Sequence, residues 1–109
     1  MPPVESPQAA LEMVVLKILT FGPNHGFGIA LHIERASQRM LHAEEGSLYP
    51  ALHRLEKRGL VKADWKTTEN GRRARCYSLT AAGRKRLSQS ERSWATLARG
   101  IELLWGTKP

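Results

Sequence analysis

Residues 45–61 read EGSLYPALHRLEKRGLV, a stretch that carries three conflicting signals at once. Leu48, Leu52 and Leu55 recur at helical spacing, Pro50 interrupts the hydrogen-bonding run, and His53, Arg54, Lys57 and Arg58 add polar and cationic groups. At about 100° per residue, Leu48, Leu52, Leu55 and Gly59 share one face while Ser47, Pro50, His53, Arg54 and Lys57 share the opposite one. The spacing predicts a short helix with its leucines docked on a core and its cations turned outward. Two starts are open: Ser47 can cap the helix, or it begins near Glu44 and Glu45, whose charges complement the positive end of the helix dipole. Pro50 then falls in the first two turns, where a missing N–H costs least or where Gly46 gives the backbone room to bend.

Upstream, residues 8–21 (QAALEMVVLKILTF) are apolar almost all round, the pattern of a helix buried on two sides. Gly22-Pro23-Asn24 ends it, because glycine suits the left-handed position after a helix and proline cannot continue one. Residues 26–38 then form a second, one-sided helix with Phe27, Ile29, Ala30 and Ile33 as its apolar stripe. Downstream of Gly59 the period changes to two: Val61, Ala63 and Trp65 alternate with Lys62, Asp64 and Lys66. The run ENGRR (residues 69–73) carries an Asn-Gly turn signal, and ARCYSLT returns as a second strand, so a two-stranded ribbon with arginines at its tip is expected. Thr80 can cap a last helix of about 25 residues, longer than a core this small can cover.

Composition sets outer limits. A chain of 109 residues is one domain's worth, with 41% hydrophobic and 25% charged residues and no low-complexity tract. Its single cysteine, Cys76, excludes an internal disulfide and a cysteine-built zinc site, and reads as a small strand side chain in a reducing compartment. The start at Val4 and Glu5 is acidic where a signal peptide would be basic, and the apolar run of residues 13–21 is too short for a bilayer and broken by Lys17. A soluble, cytoplasmic protein without membrane contact is the expectation. The net charge of +7 is unevenly spread. Residues 46–75 hold eight basic side chains against three acidic ones, whereas residues 1–45 hold three against five. Cationic charge gathered in and after the third helix fits a surface that meets phosphates.

The order helix, helix, helix, hairpin, with a cationic third helix, is the plan of a winged helix: the third helix enters the major groove and the hairpin lies along the backbone or minor groove. The fold class is therefore mainly α with a β-hairpin wing and a long C-terminal helix, divided into a DNA-binding domain (residues 1–80) and a dimerisation helix (residues 81–109). Residue chemistry agrees. Arg54 can bond a guanine edge bidentately, His53 and Ser47 can meet base edges or phosphates, and Lys57 suits a phosphate as a point charge. Arg72 and Arg73 are placed for a narrow minor groove, and Tyr49 can pack its ring inward while its hydroxyl reaches a phosphate.

The runs HGFGIALHIE, GSLYPALHRLEKRGLV and NGRRARCYSLTAAGRKRL, together spanning about residues 11–87, resemble the PadR family of bacterial transcriptional regulators. The resemblance implies a homodimer that binds a palindromic double-stranded DNA operator, usually as a repressor. It also implies DNA contacts from Ser47, Tyr49, Pro50, His53 and Arg54 on the third helix and from Gly71, Arg72 and Arg73 in the wing. Position 47 is often threonine in the family, and the residue matching Phe27 is often tyrosine; phenylalanine here removes a hydroxyl. The chain is similar to the short members, which have a single C-terminal helix.

Trp94, Leu97, Ile101 and Leu104 follow the three-four spacing of a coiled-coil seam, so the last helix is expected to pair with a second protomer. Leu11 and Val15 of the first helix complete the expected interface. Short members of the family can bind flat aromatic compounds there through a tryptophan matching Trp94, so Trp94 reads either as dimer core or as an effector contact. Trp65 and Trp105 read as packing residues, and Arg84, Lys85 and Arg86 equally as a solvated face or a phosphate contact. No cofactor is expected. His25, His32, His42 and His53 lack partners at metal-ligand spacing, and GPNHGFG lacks the lysine of a phosphate loop. An enzyme is not expected either, since no nucleophile–base pair or carboxylate cluster is present and Asp64 is the only aspartate. The remaining alternative is a winged-helix module that binds RNA or another protein, though its cationic face offers no aromatic stacking platform beyond Tyr49.

Overall fold

In the computed structural model, which describes residues 7–108, the elements follow the expected order with one addition. They are α1 (Pro7–Leu19), β1 (Asn24–His25), α2 (Gly26–Ala36), α3 (Glu45–Lys57), β2 (Val61–Thr67), β3 (Arg73–Leu79) and α4 (Ala81–Trp105). The acidic start at Val4 and Glu5 lies outside the described residues.

The leucine face of α3 is where the core begins. Leu48, Ala51, Leu52 and Leu55 are all enclosed, and the three leucines share one cluster with Val15, Leu16, Ile18 and Leu19 of α1 and Ile29 and Ile33 of α2. Burying each leucine contributes about 1.5–3 kcal/mol relative to exposure, so these contacts outweigh the weak intrinsic helix preference of a proline-containing segment. Because α1 packs against α2, α3 and α4, its apolar residues are needed on more than one side. Val15 is fully enclosed by its own protomer. It belongs to the core, and the expectation that it meets a second chain is corrected.

Local signals account for the boundaries. α3 starts at Glu45, with Glu44 as an N-cap that makes no side-chain bond, so Ser47 lies inside the first turn. Its end is a Schellman motif: the Leu60 amide donates to the Leu55 carbonyl (2.9 Å) and the Gly59 amide to that of Glu56 (3.0 Å), with Gly59 at φ +74°. α2 stops at Ala36 rather than position 38, because Gln38 and Arg39 both turn to positive φ (53° and 66°). Thr80 caps α4 as expected, its hydroxyl oxygen accepting from the Gly83 amide (3.0 Å) while donating to the Gly59 carbonyl (2.7 Å). That double role ties the last helix to the end of α3.

The ribbon is three-stranded, not two-stranded, in the order β1-β3-β2, all antiparallel. Asn24 pairs with Tyr77 and His25 with Cys76, which fastens the start of α2 to the wing. Asn24 Oδ1 accepts from the His25 amide (2.9 Å), and His25 Nδ1 accepts from the Gly28 amide (3.1 Å) as the cap of α2. Val61 pairs with Leu79 inside the core, and the pairing continues outward to Thr67 opposite Arg73. The last enclosed residue of α4 is Ser90; beyond it the helix leaves the core and lengthens the molecule to 58 Å along one axis, against 28 and 23 Å across.

Candidate nucleic-acid interface

The outward face of α3 is composed as its periodicity predicts at the centre and differently at the borders. Pro50, His53 and Lys57 are exposed along its middle. Arg54 sits at one border, where its Nε donates to Glu12 Oε2 of α1 (3.0 Å), and Arg58 Nη1 donates to Glu12 Oε1 (2.8 Å). The Glu12 side chain is 12% exposed, so one sheltered carboxylate holds two guanidinium groups and fixes their position at the edge of the helix. Arg54 is thus not the free, outward group that the helical pattern alone implies. Ser47 lies on the same border, in an open cleft shared with Leu11, Pro50 and Arg54.

Tyr49 occupies the opposite border, half exposed and pressed against the first residue of α2. A methyl group on Gly26 would come within 2.6 Å of its Cε1, so glycine there is what lets the ring lie flat on the helix start. On this side Glu56 Oε2 accepts from Arg75 Nη2 of β3 (2.7 Å), clamping the wing to α3. Close by, burial pushes the Tyr77 phenol above its ordinary pKa, with Arg75 opposing the shift.

The wing tip is shaped by Gly71, at φ +76°, whose amide donates to the Thr68 carbonyl (2.9 Å) while the Thr68 amide donates to that of Arg72 (2.7 Å). Arg72 and Arg73 are exposed there. Trp65 is not a packing residue: its indole is 59% exposed, with the guanidinium of Arg73 5.6 Å and that of Arg75 6.0 Å from the ring centroid. Trp105, too, is exposed rather than packed. Sequence reasoning missed Glu12, Glu56, Trp65 and Arg75. For Trp65 a signal existed, since strand pairing from the Asn-Gly turn sets it opposite Arg75.

On the far side of α1, Val14, Ile18, Ile33, Leu41, Leu87 and Trp94 line an apolar groove of about 390 Å³. Trp94, Ile101 and Leu104 are exposed and Leu97 half-buried along one side of α4. Among the described residues no cluster of His, Cys, Asp or Glu could hold a metal ion, and no helix is long and apolar enough to cross a membrane.

Four helices, a small antiparallel sheet and a cationic helix beside a basic wing define a winged-helix DNA-binding protein. Residues 15–89 match the transcriptional regulator PadR-like family, and the chain belongs to it. It is 33% identical over 97 residues to the transcriptional regulator Rv3488 of Mycobacterium tuberculosis, covering 89% of this chain and 87% of that one. Among solved structures, a transcriptional regulator from Clostridium thermocellum superposes with a TM-score of 0.76 at 27% identity, over 84% of this chain and 88% of that one. A PadR family transcriptional regulator from Eggerthella lenta gives 0.76 at 27%, over 93% and 86%. The chain is therefore a DNA-binding transcriptional regulator, and regulators of this family are not enzymes.

Proposed function

We propose that the chain acts as a homodimeric repressor in the cytoplasm, each protomer setting α3 in the major groove of one half of a palindromic operator and its wing along the flanking backbone or minor groove. The observation that supports dimerisation is the course of α4. It leaves the core after Ser90 with Trp94, Leu97, Ile101 and Leu104 on one stripe, and an apolar stripe of this length on a free helix calls for a partner. In this reading residues 1–80 form the reading domain and residues 81–109 the pairing helix, and Leu11, half-buried on α1, is assigned to the same interface. A dimer covering two adjacent half-sites blocks access to the DNA between them, which makes repression the direct consequence of binding.

Within each half-site, Pro50, His53 and Lys57 face the base edges, while Ser47, Tyr49 and Arg54 flank them at the height of the phosphates. Gly71 lets the tip approach closely, and Arg72 and Arg73 meet the backbone or minor groove. The groove beside Trp94 has the apolar lining and size to take a flat aromatic effector at the dimer interface. Selection of bound duplexes from a random pool, with sedimentation of the free protein, tests this reading. A dimer that enriches a palindrome supports it; a monomer, or enrichment of an asymmetric site, contradicts it.

A further inference from the structure

Trp65 extends a face of β2 whose other members are core residues. Val61 is enclosed, Ala63 half-buried, and Trp65 stands beyond the edge of the core with most of its ring open. A strand face that has left the core ordinarily carries polar side chains, and here it carries the bulkiest apolar one. Three observations show what surrounds that ring. Arg75 is its cross-strand partner, the guanidinium groups of Arg73 and Arg75 both lie over it, and Arg75 is bonded to Glu56 on the flank of α3. Glu56 offsets the charge of Arg75, whereas Arg72 and Arg73 take part in no ion pair among the described residues. The exposed indole is thus set in a cationic surround on the side of the wing that is tied to α3.

We propose that Trp65 is a DNA contact of the wing: its ring packs against the deoxyribose backbone beside the recognition helix and holds the Arg73 guanidinium in place for the adjoining phosphate. The inference rests on the placement of the wing in the proposed function. Two features favour nucleic acid as the occupant. The charge around the ring complements a phosphate chain, and the surface is continuous with the outward face of α3 through the Arg75–Glu56 bond. An aromatic ring also pre-arranges a guanidinium at little entropic cost, because the stacked group has fewer conformations to lose on binding.

The test uses the full chain with a fluorescein-labelled duplex of mixed sequence, followed by anisotropy at several salt concentrations. Trp65→Ala is expected to weaken binding about five- to tenfold and Trp65→Phe by no more than about threefold, the scale of a partly desolvated cation–π contact. Acrylamide quenching, compared between the parent and Trp65→Phe at saturating duplex, isolates the Trp65 signal, which should become shielded when DNA is bound. Binding by Trp65→Ala within twofold of the parent would overturn the inference, as would an indole equally open to acrylamide with and without DNA; either result would leave the ring to a protein partner. Failure of the parent itself to bind any duplex would instead overturn the DNA-binding reading beneath it.

Discussion

Glu12 of α1 and Arg54 of α3 are joined by a 3.0 Å bond between Oε2 and Nε, across 42 positions of sequence. The bond links the helix that borders the apolar groove on one side to the helix that carries the outward cations on the other. It also uses one edge of the Arg54 guanidinium, leaving the remaining N–H groups for a phosphate.

Removing the charge of Glu12 while keeping its shape separates these effects. Glu12→Gln should lower stability by about 1 kcal/mol, a charge-assisted pair discounted for the partial exposure of both arginines. That corresponds to a melting point about 4–8 °C lower for a domain of this size. At the same time two less restrained guanidinium groups should make binding to mixed-sequence DNA tighter and more steeply salt-dependent. Thermal melts and salt titrations of the same preparation check both directions. An unchanged salt slope would mean that Glu12 serves the fold alone.

The helix centre and the wing tip should fail differently. His53→Ala is expected to cost about 1–3 kcal/mol on a selected operator and relax preference at one or two base pairs. Arg73→Ala should weaken operator and mixed-sequence DNA alike and flatten the salt slope by about one. Arg54→Ala should resemble Arg73→Ala more than His53→Ala, with added loss of stability because Glu12 keeps only Arg58 as its partner. Repeating the duplex selection with each variant reads the difference directly.

Much of this arrangement was legible in the sequence, for physical reasons that differ by element. The three leucines of α3, the alternation after Gly59 and the Thr80 cap are local periodic or capping signals that packing then reinforced. β1 was not legible, since two residues carry no period and Asn24–His25 is a strand only because β3 lies beside it. The Glu12–Arg54 bond depends on how α1 crosses α3, which no spacing within either helix encodes. Val15 illustrates the same limit: a helix apolar all round does not reveal which side meets its own core. Trp65 was misjudged because exposed tryptophan is rare enough that burial is the ordinary expectation.

The close approach of α4 to the end of α3 gives a sharp packing prediction. A Cβ on Gly83 would overlap the Leu60 carbonyl oxygen and lie 2.8 Å from Leu79 Cδ1. The oxygen belongs to backbone already held by the Thr80 amide (3.2 Å), so it cannot withdraw cheaply. Gly83→Ala should therefore destabilise by more than about 2 kcal/mol despite alanine's better helix propensity, as urea unfolding would show. A neutral or stabilising result would mean that α4 shifts freely on the core.

Tyr77 sets the alkaline behaviour. Burial raises the pKa of its phenol above the ordinary value. As pH rises past about 10, the unfolded chain releases this proton first and binds fewer protons than the native one, so stability falls with pH in that window and is intact below it. Tyr77→Phe should flatten that decline in melting experiments between neutral and strongly alkaline pH. An identical alkaline slope in the variant would show that other groups govern it.

On α4, Ile101→Asp would place an uncompensated charge in the proposed seam, at a cost of several kcal/mol on the order expected for burying one, and should yield monomers in sedimentation. Trp94→Ala should be milder for pairing and should remove binding of any flat aromatic compound in the groove. An Ile101→Asp protein that stays dimeric would move the interface elsewhere.

The central claim, two linked reading heads each using α3 and a wing, is tested most directly by hydroxyl-radical footprinting of the parent protein on a duplex selected from a random pool. The account predicts two equivalent protected windows centred about one helical turn, roughly 34 Å, apart, with protection spreading into the flanking minor grooves where the wings lie. A single asymmetric window, or protection confined to the major-groove region with the flanks open to cleavage, would contradict it.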